Sequence, residues 1–176
     1  MIGTFILVAH LLSAVPCDTP PSAAPAHRAR PKAVEVSEWY SRRLTIHRTL
    51  SYATVPLFAF QYVAGNQIWV SGAQAPAWAR TGHRIGATTL AGVFTVNTVT
   101  GLWNLWDSRH AEAGRGLRYM HALSMLTADA GFTYAGAKLS EQAERSYDKR
   151  QLHKEIALSS MALTVVSGVL MKVLNK

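Results

Sequence analysis

Charge is spread unevenly along this chain: long uncharged stretches alternate with short polar connectors. No Asp, Glu, Lys or Arg occurs from Thr49 to Ala79 or from Ile85 to Trp106. Tyr119 to Ala137 holds one acid, Asp129, and Ile156 to Met171 holds no charge. Lys154, Glu155 and Lys172 extend the last stretch, because such stems lie along apolar surface while the charge reaches water. At about 1.5 Å per residue, each stretch is long enough, or nearly so, to cross about 30 Å of hydrocarbon as a helix. Gly65-Asn66, Ser71-Gly72 and Pro76 punctuate the first connector. Asp107 to Arg118 forms the second, and Lys138 to Arg150 the third. The pattern predicts helices over about 44–65, 83–106, 119–138 and 153–174. The expected fold is all-α: an integral membrane four-helix bundle, up-down-up-down, in a bacterial-type inner membrane. Trp39, Tyr40, Trp69, Trp78, Trp103, Trp106 and Tyr119 fall near predicted helix ends, as an interfacial aromatic belt requires.

The first 40 residues read differently. Residues 1–16 contain a short apolar run that resembles a signal peptide or an anchor, although no Lys or Arg precedes it. Residues 17–40 are rich in Pro and Ala and read as a linker. The remaining 41–176 form the predicted transmembrane domain.

Composition narrows the function classes. Over 176 residues, 49% are hydrophobic and only 16% charged, which excludes disorder or a coiled coil for the whole chain. A single cysteine, Cys17, excludes a disulfide framework and any Cys-rich metal site. The net charge of +8 comes from basic residues that flank apolar runs, with no continuous stripe for nucleic acid. Basic flanks are what membrane insertion uses.

The candidate chemistry lies in the histidines. Of seven, four fall near the N-terminal ends of four different apolar segments: His47, His83, His121 and His153. Each has a basic neighbour: Arg48, Arg84, Arg118 and Lys154 respectively. Consecutive spans joined by short connectors alternate in direction. His47 therefore meets His121 near one membrane face, and His83 meets His153 near the other. Two imidazoles facing each other across a bundle suit a six-coordinate b-type haem. The adjacent cations and the positive helix N-termini suit its anionic propionates. With both axial positions filled by protein, such an iron suits electron transfer better than oxygen binding. The predicted cofactor is two haem b. Position i+14 on a helix lies about 21 Å further along and within about 40° of the same face. Those positions are Gln61, Asn97, Ala135 and Ser167, all small or polar, which leaves room at the second haem level.

With these features the chain resembles the cytochrome b-561 family of transmembrane di-haem electron carriers over about residues 41–174. The resemblance rests on four helices with one histidine each. It also rests on the strings Thr81-Gly82-His83, Gly101-Leu102-Trp103, Tyr119-Met120-His121-Ala122-Leu123-Ser124, Leu152-His153 and Ser167-Gly168. It implies His47, His83, His121 and His153 as axial ligands and electron passage across the membrane, often from ascorbate or a related reductant. The familiar eukaryotic members have six helices, and the chain carries no match to the family's ascorbate-binding motifs. The donor and acceptor stay open: a quinol, an ascorbate-like reductant, a redox protein or other membrane subunits.

Asp129 is a costly carboxylate inside a span unless it is paired, protonated or wet. Its readings are a proton relay, a quinone contact, or an acid bonded to Thr, Asn or Tyr on a neighbouring helix. Tyr62 and Tyr134 either line an electron path or simply pack. Lys and Arg are more numerous on the side of the first helix's N-terminus, which places that side in the cytoplasm; a cleaved signal peptide places it outside. The alternative to a cytochrome is a cofactor-free membrane subunit or assembly factor.

Overall fold

The structure, a computed structural model, describes residues 37–174. The leader and most of the linker lie outside these residues. All regular structure among them is helical. Helix α1 spans Glu38–Ser71, α2 Ala77–Asp107, α3 Arg115–Thr133, α4 Ser140–Arg145 and α5 Tyr147–Leu174. A π-helical stretch, Tyr134–Leu139, joins α3 to α4.

Helices α1, α2 and α5 are longer than the apolar runs that predict them. Ser37 accepts a hydrogen bond from the Tyr40 amide and caps α1, so the helix starts within the predicted linker. Gly65-Asn66 does not end α1, which continues to Ser71 and also passes through Pro56. The stop falls at Gly72, whose φ of 53° few side chains tolerate. The largest departure is the third connector. Lys138 to Arg150 is mostly helical, because polar residues continue α3 past the apolar run, and only Ser146 is extended.

The four long helices close a ring of neighbours: α1 packs along α2, α2 meets α3, α3 packs along α5, and α5 returns to α1. Helices α1 and α3 are therefore diagonal, as are α2 and α5. A small aromatic core fills the middle. Phe58, Phe94 and Phe132 lie 5.0–6.0 Å apart between ring centroids, with Leu90 beside them. Backbones come close where side chains are small. A Cβ at Gly131 of α3 would stand 2.1 Å from Ser160 Oγ of α5.

Two helices, α2 and α5, are long and apolar enough to cross a membrane. Helix α1 carries Ser51, Thr54, Gln61, Asn66 and Gln67, and α3 is 19 residues long with Arg115, Arg118 and Asp129, which lowers their apolar content.

Candidate functional site: two histidine pairs

The four histidines form two diagonal pairs. His47 of α1 and His121 of α3 have ring centroids 6.3 Å apart, with planes crossed at 84°. His83 of α2 and His153 of α5 lie 6.2 Å apart, crossed at 63°. We call these levels one and two. Two imidazoles trans on one metal, with bonds of about 2.0–2.1 Å and roughly 1.15 Å from nitrogen to ring centre, put their centroids about 6.3–6.5 Å apart. The observed spacings allow that arrangement, and ordinary edge-to-face ring packing spans the same distances. Among the described residues no third His, Cys, Asp or Glu joins either pair.

Three of the four rings bond the i+14 position of the antiparallel neighbour. His47 Nδ1 lies 3.1 Å from the Asn97 carbonyl oxygen, His121 Nδ1 2.9 Å from Ser167 Oγ, and His153 Nδ1 3.0 Å from the Ala135 carbonyl oxygen. At the fourth position Gln61 Nε2 donates to the His83 carbonyl at 2.9 Å. Gln61, Asn97, Ala135 and Ser167 are all buried. Asn97, Ala135 and Ser167, expected only to leave room, hold three of the rings in place.

The bonds fix the chemistry of two rings. A carbonyl only accepts, so Nδ1 of His47 and of His153 carries the proton. Their Nε2 atoms then keep a free lone pair, as a metal ligand needs. Local backbone permits the contacts. Gly101, one turn beyond Asn97, has no side chain to shield that carbonyl; a Cβ there would stand 3.0 Å from His47 Cε1. Ala135 lies in the π-helical stretch, where the loosened ladder favours an additional partner. His83 Nδ1 is buried without a partner, against Gly65.

The basic neighbours divide. Arg48 and Arg84 are exposed, because adjacent helix residues point about 100° apart. They do not join the histidine pairs. Lys154 stacks on Trp69 with Nζ 4.3 Å from the ring centre. Arg118 turns to the connector, bonding the carbonyls of Ala111, Ala113 and Ser108. Arg43, one turn outward from His47 on the same face, was not singled out by sequence. It bonds Asn104 and Asp107 of α2 and lies over Trp103. Its signal was the i−4 spacing from a ring that faces inward.

Asp129 accepts a hydrogen bond from Thr98 across the α2–α3 contact, so its partner is a threonine on a neighbouring helix. Its other oxygen is buried and has no partner among the described residues. Thr98→Val is expected to lower the thermal unfolding midpoint in detergent, at a cost of about 1–3 kcal/mol, by leaving the carboxylate without its donor. In an Asp129→Leu background the same substitution should cost almost nothing. An equal cost in both backgrounds would show that the contact contributes nothing.

No family model matches this chain, and no characterised protein or solved structure shows significant similarity to it.

Proposed function

We propose that this chain is a membrane-embedded electron carrier that binds two b-type haems, one at each histidine level, as the resemblance to the cytochrome b-561 family implies. One observation carries the reading: two diagonal imidazole pairs, with ring centroids 6.3 and 6.2 Å apart, each close enough for its two rings to hold one metal between them. The donor set fits the group. Two protein ligands per level among the described residues are fewer than a bare zinc-type site takes, which is three or four. They suit a metal that brings its own four equatorial nitrogens.

Support for the membrane comes from exposure. A core helix of a soluble protein buries its apolar residues. Here only 28% of the apolar window of α2 and 17% of that of α5 are buried. Val99, Val165, Val166 and Val169 are among the large apolar side chains left facing outward. A lipid phase accommodates them, and all four helices then cross it with the two levels near opposite faces.

His47 and His121 would hold one haem, and His83 and His153 the other. The haems supply reversible one-electron chemistry when bound. The protein's own part is to present the Nε2 lone pairs, to hold Nδ1 against Asn97, Ser167 and Ala135, and to keep water from the core between the levels. The three phenyl rings of Phe58, Phe94 and Phe132 occupy that core.

The test is a reduced-minus-oxidised visible spectrum of the detergent-purified protein, with haem quantified per chain. Sharp low-spin b-type bands and about two haems per chain are expected. A colourless protein expressed with ample haem would reject electron transfer and leave the histidines as packing residues.

A further inference from the structure

We propose, building on the haem reading above, that the level-one end of the bundle contains a seat for a carboxylate, formed by Arg43, Asn104 and Arg118. Among the described residues the level-two end has no matching seat.

Asn104 lies seven residues beyond Asn97 on α2, on the same helix face and about 10.5 Å further out. It is 6% exposed. Its Oδ1 accepts from Arg43 Nε at 3.1 Å, which fixes the amide orientation, since the reverse would set two donors against each other. The Nδ2 group therefore turns the other way, buried and without an acceptor among the described residues. Arg118 reaches the same helix end from α3. Its Nη2 bonds the Ser108 carbonyl at 3.3 Å, and the Ser108 amide bonds the Asn104 carbonyl at 3.0 Å. Arg118 Nε is also buried without an acceptor. Arg43 has Asp107 as its counterion, whereas Arg118 contacts only neutral carbonyls among the described residues.

One end of the molecule thus gathers two unsatisfied buried donors and an uncompensated cation. Leaving such donors unpaired costs free energy, and a carboxylate satisfies several at once. The unpartnered side-chain atoms elsewhere differ in kind. Gln61 Oε1, Asn97 Oδ1 and Asp129 Oδ1 are acceptors, and His83 Nδ1 belongs to a ring pair. Near level two, Arg80 bonds the Ala73 carbonyl and Arg150 the Ala143 carbonyl, and neither leaves a buried donor unmatched. The carboxylate comes either from a propionate of the level-one haem or from a small carboxylate in solution.

The experiment is a potentiometric titration of the full haem-loaded protein. Asn104→Leu removes the donor without changing charge. It should lower the midpoint of the level-one haem, identified as the one lost in His47→Ala, because the carboxylate charge then weighs more fully on the ferric state. The level-two midpoint should stay in place, which also checks folding. Arg118→Gln should act in the same direction, and Arg118→Lys should restore part of the shift. Loading with haem dimethyl ester separates the sources. Loss of the Asn104→Leu effect assigns the carboxylate to a propionate. If instead succinate lowers the level-one midpoint of the wild-type protein but not of Asn104→Leu, with either form of haem, the carboxylate is a solution ligand. If two haems bind but neither variant nor succinate moves the level-one midpoint, the seat does not exist. If no haem binds, the haem reading fails by itself; calorimetric titration of succinate into wild type and Asn104→Leu then tests the seat, and equal or absent binding would overturn it.

Discussion

His47→Ala and His121→Ala should each remove the same haem, and His83→Ala and His153→Ala the other. Each substitution is expected to reduce haem from about two per chain to about one. The grouping follows from the diagonal positions. Helices α1 and α3 carry one pair and α2 and α5 the other, and among the described residues each of these histidines belongs to one pair alone. The haem that remains in His47→Ala should have the same spectrum and midpoint as the haem that remains in His121→Ala. His110, exposed in the second connector, should tolerate alanine without loss. The measurement is a pyridine haemochrome assay with a redox titration of each variant. A grouping of His47 with His83 would sink the diagonal arrangement.

The second large effect concerns the glycines that support the rings. A Cβ at Gly101 would stand 3.0 Å from His47 Cε1, and one at Gly65 3.2 Å from His83 Cε1. Valine adds two methyl groups on a stiff χ1, so the ring cannot keep its place. Gly101→Val should break the His47–Asn97 bond and abolish the level-one haem alone. Gly65→Val should abolish the level-two haem alone. Overpacking of this kind costs about 1–3 kcal/mol, which a thermal melt in detergent would register. Alanine at either position should give a smaller loss. Gly92 has open space around its Cβ direction, so Gly92→Ala should leave both haems bound. Normal haem content in Gly101→Val would mean that His47 is not held where the geometry puts it.

Much of this arrangement was readable before any coordinates. Charge-free runs located four helices, and alternation of direction brought His47 to His121 and His83 to His153. Polar continuations were harder to read. Helical structure runs on beyond α3 through Lys138 and Glu141, in the π-helical stretch and α4, because backbone hydrogen bonds, unlike burial, do not require apolar residues. Arg48 and Arg84 were attractive by adjacency, yet adjacency on a helix turns a side chain away. Arg43 and Asn104 needed spacings of four and seven from inward-facing residues. The Nδ1 contacts to the Asn97 and Ala135 carbonyls were not legible, since any residue has a carbonyl; Gly101 and a π-helical stretch determine which are reachable.

The fourteen-residue offset between the levels has an electrical meaning under the proposed function. It separates them by about 21 Å along the helix axes, roughly two-thirds of a hydrocarbon core of about 30 Å. One electron passing between them therefore traverses most of the transmembrane field. A full crossing is worth about 2.3 kcal/mol per 100 mV, so this step gains or loses roughly 1.6 kcal/mol per 100 mV. The carrier would be electrogenic, and membrane voltage would bias its direction independently of the midpoints of the two haems.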